Sequence, residues 1–280
     1  MNWRVSWRGM RRVRRAAWLA GFALLAGCTR PAVVAPVAGG GSFAADQHLP
    51  PYVRMQFEPL SAVNTVAIAE REWRAFGSVV DDAPPGPDIP GSLRLDKQAG
   101  LWQRVSDYWW SSQDYGNREG GFGSRYTEGG TAINGTPVAW SAAFISYVMR
   151  TAGAGPGFPY TPLHADYINA AARREGVLRA ERPETYAPQL GDLICVGRLA
   201  ARQLKFDDLP SGRFFAHCDL VVSVVPGQLS VIGGNVSAGV TMKHVPTTPS
   251  GMLADASAQV VDGRYGWFVV LRVLYGGASS

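Results

Sequence analysis

His217 and Asp219 stand two positions apart in HCDLVVSV (217–224), a run whose branched side chains predict a strand. Alternate strand residues share a face, so an imidazole and a carboxylate are aimed at one place. A carboxylate buried there favours the imidazolium and assists a base that removes a hydroxyl proton. The alternative for Asp219 is that it bonds only backbone groups. Ser141 offers a hydroxyl at the start of SAAFISYVMRTA (141–152). A thiol has an accessible anion, whereas a serine stays neutral and needs concerted proton removal. His164 and Tyr167 share a face of another predicted helix, where they could line a cleft. Arg198 follows a strand end and is placed either to grip a substrate carboxylate or to sit on the surface. Asp192 is expected to satisfy backbone donors at a strand entry, and His244 lies in a strand with no evident partner. Nothing has the spacing of zinc ligands, a dinucleotide fingerprint or a phosphate loop, so neither metal nor cofactor is expected.

The elements that must position these groups follow from periodicity. Ser61 reads as an N-cap, with Val63, Val66, Ala67, Trp73 and Phe76 at helical spacing up to Gly77. The Pro- and Asp-rich stretch 79–93 reads as loop. A second helix is predicted over 96–111, with Leu101, Val105, Tyr108 and Trp109 inward. Residues 114–136 hold seven glycines and no apolar period, so a long loop precedes the third helix, 141–152. The fourth is predicted from a Thr161 cap with Pro162 in the first helical position, running to Gly176. Beyond Gly191 the pattern turns to strands at 192–196, 218–224, 229–232, 240–245 and 267–274. Helices first and strands second predict an α+β fold with an antiparallel sheet. Cys195 and Cys218 fall in successive strands, where facing residues lie about 4.5 to 5.5 Å apart, within disulfide range. Bridging them would stabilise by roughly 3 to 4 kcal/mol in the loop-entropy treatment; two buried free thiols are the alternative.

The first residues carry an address. Six arginines and no acid precede an apolar run from Ala16 to Ala26, too short for a permanent span, and Leu25-Ala26-Gly27-Cys28 closes it. This is similar to the lipobox of bacterial lipoproteins, which implies a signal peptide over 1–27 and lipidation of Cys28. Residues 28–51 read as a flexible tether and 52–280 as a single domain. Thr29, in place of an aspartate, points to the outer membrane facing the periplasm. Without the signal, 21 basic residues face 22 acidic ones, so the basic isoelectric point belongs to the leader. No basic stripe with interleaved aromatics supports nucleic-acid binding.

Taken in order, WSAAFISYVMRTAG (140–153), GDL (191–193), HCDLVVSV (217–224) and VIGGN (231–235) resemble the landmarks of papain-like cell-wall hydrolases of the CHAP and NlpC type. With the Glu-Trp and Tyr-Trp helices upstream, the combination resembles the bacterial domain of unknown function 2272, over roughly 63–274. The resemblance implies a papain-like fold with Ser141 in the nucleophile's place, His217 as base and Asn235 orienting it. The candidate substrate contacts are Trp140, which precedes Ser141, with His164, Tyr167 and Arg198. The CHAP pattern has a glutamate where this chain has Gly233, so one supporting carboxylate is missing. Asp219 could replace it, giving a Ser141–His217–Asp219 triad. The expected function is that of an envelope amidase or peptidase acting on peptidoglycan peptides. The alternative is a catalytically silent lipoprotein that binds peptidoglycan or protein, with a secreted effector or acyl-transfer enzyme less favoured.

Overall fold

The computed structural model describes residues 59–84, 94–112, 126–127, 131–132, 139–253, 257 and 262–276, all within the unit Phe43–Ser280. The expected signal, tether and Cys28 lie outside them, as does most of the glycine-rich segment before Ser141. The described residues form a mixed α+β fold with four α-helices and a six-stranded antiparallel sheet.

Helix α1 (Ala62–Ala75) starts where the Ser61 hydroxyl accepts from Asn64 N–H at 3.2 Å, and it ends at Phe76, before Gly77 with φ +92°. Its inward face differs from the expected one: Thr65, Ala69, Glu72 and Phe76 are buried, while Val63 is 76% exposed and Ala67 is also exposed. The apolar period misleads because Glu72 brings its own counter-charges, described below. The predicted second helix is split. A 3-10 turn (Leu95–Lys97) precedes α2 (Leu101–Ser111), and Gly100 between them takes φ +84°. The Gln103 side chain accepts from the Gly100 N–H at 2.7 Å and so closes the start of α2.

Helix α3 (Ser141–Thr151) is buried from Ser141 to Arg150, as its mostly apolar sequence requires of a central helix. Helix α4 (His164–Ala172) starts two residues later than the sequence implied. The Thr161 hydroxyl accepts from Leu163 N–H and donates to Asp166, closing a turn that leaves Pro162 outside the helix.

A two-residue pair, β1 (Tyr126–Thr127) and β2 (Thr131–Ala132), precedes α3. The main sheet comprises β3 (Leu178–Glu181), β4 (Leu193–Gly197), β5 (Ala216–Val225), β6 (Gln228–Val236), β7 (Gly239–Pro246) and β8 (Trp267–Val273), in the order β3-β8-β4-β5-β6-β7. Strand β3 escaped the sequence reading because it has four residues and two of them, Arg179 and Glu181, are charged.

Alternation gives each face of the sheet its own core. Cys195, Cys218, Leu220, Ile232 and Leu271 join the helices in one cluster. Ile194, Val196, Val221, Val231 and Val245 join Trp267 in another. Cys195 and Cys218 face each other in register and form a disulfide with α-carbons 4.1 Å apart, tying β4 to β5 on the helix side.

Candidate functional site

Two adjacent glycines in β6 explain how polar chemistry fits inside this sheet. A side chain on Gly234 would collide with Phe144 of α3, and one on Gly233 would overlap the Asp219 carboxylate and approach His217 Nε2. The pair therefore admits a helix on one face of the strand and a carboxylate on the other. Gly233 has no side chain where Asp219, from the neighbouring strand, occupies the space.

Asp219 is fully buried and spends its two oxygens on different partners. Oδ1 lies 2.8 Å from His217 Nε2, and Oδ2 accepts from Lys243 Nζ at 2.8 Å. Burial alone would raise the Asp219 carboxyl, but the Lys243 ammonium and His217 hold it well below the usual carboxylate range. An ionised acceptor fixes the tautomer of His217: Nε2 carries the proton, and Nδ1 is left as a bare acceptor with no hydrogen-bond partner among the described residues. Burial lowers the His217 pKa; Asp219 opposes that, while Lys243 and Arg198 add to it.

Sequence reasoning missed Lys243, although a signal was present. Thr241, Lys243 and Val245 alternate on one face of β7, and all three are buried. A lysine in phase with a core valine requires a buried anion.

Ser141 meets a different imidazole from the one expected. Its Oγ is 2.7 Å from His164 Nε2, and it makes no hydrogen bond to His217. His164 also bonds Tyr167 Oη through Nδ1, and its ring centre lies 5.5 Å from that of His217. Desolvation holds His164 well below its ordinary value, with the His217 and Arg198 charges acting in the same direction. Burial pushes the Tyr167 phenol up, so it acts as a neutral partner. In one of the two tautomers open to this chain, Nδ1–H donates to Tyr167 and Nε2 accepts the Ser141 proton; only that tautomer makes His164 a base.

The remaining sequence candidates are distributed as follows. Trp140 is fully buried, stacked among Phe76 and Tyr108, with its indole N–H directed at Asp96, so it is core and not a substrate contact. His164 and Tyr167 are likewise buried and paired instead of lining an open cleft. Asn235 sits at φ +57° near the end of β6 and does not bond His217, because Asp219 has taken that role. Arg198 is exposed beyond the end of β4, its backbone N–H on Phe215. Asp192 accepts from Tyr186 Oη and from the Gln189 and Val273 N–H groups. His244 does have a partner, Asp82, 2.9 Å from its Nδ1. Among the described residues no cluster of His, Cys, Asp and Glu is arranged to hold a metal ion, and no helix is long and apolar enough to cross a membrane.

No curated protein and no solved structure matches the chain. A family model does match, over residues 96–273, a span that includes Ser141, both buried histidines, Asp219 and Lys243. The chain belongs to the family described as uncharacterized protein conserved in bacteria, DUF2272.

Proposed function

We propose that this chain is a lipid-anchored cell-envelope protein whose domain is papain-like and cleaves amide bonds in peptidoglycan peptides, with Ser141 as nucleophile. The observation that carries the reading is the 2.7 Å contact between the Ser141 hydroxyl and a buried imidazole held neutral by its surroundings. A neutral imidazole in that position removes the proton as the oxygen attacks a carbonyl, which a serine requires. The first backbone hydrogen bond of α3 is Phe144 N–H to Trp140 C=O. The N–H groups before it have no hydrogen-bond partner among the described residues and would stabilise an oxyanion at the same end of the helix. Helices ahead of an antiparallel sheet, with a nucleophile opening a buried helix and an imidazole near a strand start, support the papain-like assignment. The anchor rests on the arginine-rich leader and Leu25-Ala26-Gly27-Cys28.

The second reading is a silent envelope protein that binds without cleaving. It draws on Tyr167, since a phenol stabilises an imidazolium less than the carboxylate usual behind a catalytic histidine. Both readings are tested with mature protein, peptidoglycan fragments and p-nitrophenyl acetate. Serine-dependent turnover that disappears in Ser141→Ala is the expected result. Activity seen only in Ser141→Cys would establish the silent reading.

A further inference from the structure

Two imidazoles in one serine site raise the question of what the second one does. His164 is committed at both nitrogens, to Ser141 and to Tyr167. His217 is committed only at Nε2, to Asp219. Its Nδ1 faces no protein donor or acceptor among the described residues, yet its ring is 5.5 Å from that of His164. Building this arrangement is costly, because Asp219 and Lys243 must both be desolvated to place one ion pair behind His217. A sheet that needed only packing would be served as well by apolar residues there.

We infer that the two histidines divide a two-step acyl transfer, His164 serving the serine and His217, backed by Asp219 and Lys243, serving the acceptor that releases the acyl group. The inference rests on the hydrolase reading above. In the first step the bond from Ser141 Oγ to the carbonyl carbon forms and the bond to the leaving group breaks. The serine proton passes to His164 Nε2 and from there to the departing nitrogen or oxygen. In the second step water attacks the acyl carbon while its proton moves to His217 Nδ1. The acyl–Oγ bond then breaks, and the proton that His217 took from water returns to Oγ through His164 Nε2, the group that bonds the hydroxyl. The acceptor is a small hydroxylic nucleophile, water in the simplest case, that donates its proton to His217 Nδ1.

The experiment is a stopped-flow burst measurement with p-nitrophenyl acetate on the full chain, joined to peptide mass mapping of Ser141. His217→Gln is expected to keep a burst of about one nitrophenolate per protein and to accumulate acetylated Ser141, while steady turnover falls roughly 10² to 10⁴-fold. His164→Gln is expected to lose the burst rate by a similar factor. His217→Asn provides a second variant, with near-UV circular dichroism confirming the fold of each. A burst lost together with turnover in both His217 variants would overturn the division of labour, as would a normal burst in His164→Gln. Absence of any Ser141-dependent release of nitrophenolate, burst or steady, in the unaltered protein would instead remove the hydrolase reading and this inference with it.

Discussion

Among the described residues, Glu72 and Asp219 are the two carboxylates with 0% exposure, and they are treated differently. Glu72, in α1, accepts from Arg104 of α2 at 2.9 Å, from Arg71 at 2.9 Å and from Tyr108 Oη at 2.6 Å, with Tyr147 Oη of α3 at 3.4 Å. Its arginines reach the surface, with side chains 52% and 39% exposed, so the charge is compensated by groups that keep much of their hydration. Asp219 has only a fully buried lysine and an imidazole. The first cluster ties three helices together with permanent charges and phenols, and burial beside Glu72 pushes the Tyr108 and Tyr147 hydroxyls up. Neither phenol exchanges a proton near neutrality. The second cluster places a titratable ring beside a second titratable ring that bonds a hydroxyl. Burial and charge compensation are common to both; only the second has an imidazole nitrogen with no hydrogen-bond partner among the described residues, and on the hydrolase proposal that difference sets the reactive cluster apart from the structural one.

The comparison can be broken experimentally. The largest effect is expected from Ser141→Ala, which should reduce turnover by at least about 10³-fold with little change in melting temperature; Glu72→Ala should leave the rate per folded molecule intact. Lys243→Met strands a fully buried carboxylate and should cost about 3 to 5 kcal/mol in urea unfolding. The double variant Lys243→Met, Asp219→Leu should recover much of that stability and none of the activity. Such a result would separate packing from chemistry. Glu72→Ala should cost about 3 kcal/mol, the low end of that range, because its arginines can turn to water while the Tyr108 hydroxyl loses its acceptor.

Acid should act through the second cluster. His164 and His217 are held below their ordinary value of 6.5, so the unfolded chain takes up protons that the folded one refuses. Stability should therefore be complete above that value and fall as pH drops below it, by about 1.4 kcal/mol per pH unit for each excess proton. Asp219, held low by Lys243 and His217, adds a further loss as pH falls through the carboxylate range. Urea midpoints between about pH 5 and 8 would read this limb, and replacing both histidines by glutamine should flatten its upper part. The smallest effect belongs to Asn235→Ala: about 1 kcal/mol for a left-handed position and less than about threefold in rate.

Much of the scaffold was legible because periodicity reports burial. The strands from β4 onward, the Ser61 cap and the facing of Cys195 with Cys218 all follow from alternation and punctuation. The placement of Asp219 beside His217 follows from the same two-residue period. The errors arose where a polar group is buried with distant partners. The sequence reading assigned no role to Glu72 or Lys243, whose partners are distant: Arg104 lies 32 residues from Glu72, and Asp219 lies 24 residues before Lys243. The Ser141–His164 contact joins two helices 23 residues apart, a pairing that no local pattern encodes. The two glycines at 233 and 234 did carry a message, that both faces of β6 are approached closely, but not by what.

The central claim is that the Ser141 hydroxyl is reactive because His164 holds its proton. Labelling with a fluorophosphonate followed by peptide mass mapping tests it most directly. A single adduct is expected, on Ser141, absent in Ser141→Ala and formed at least about 10²-fold more slowly in His164→Gln. An unlabelled protein, or an adduct forming equally fast without His164, would contradict it.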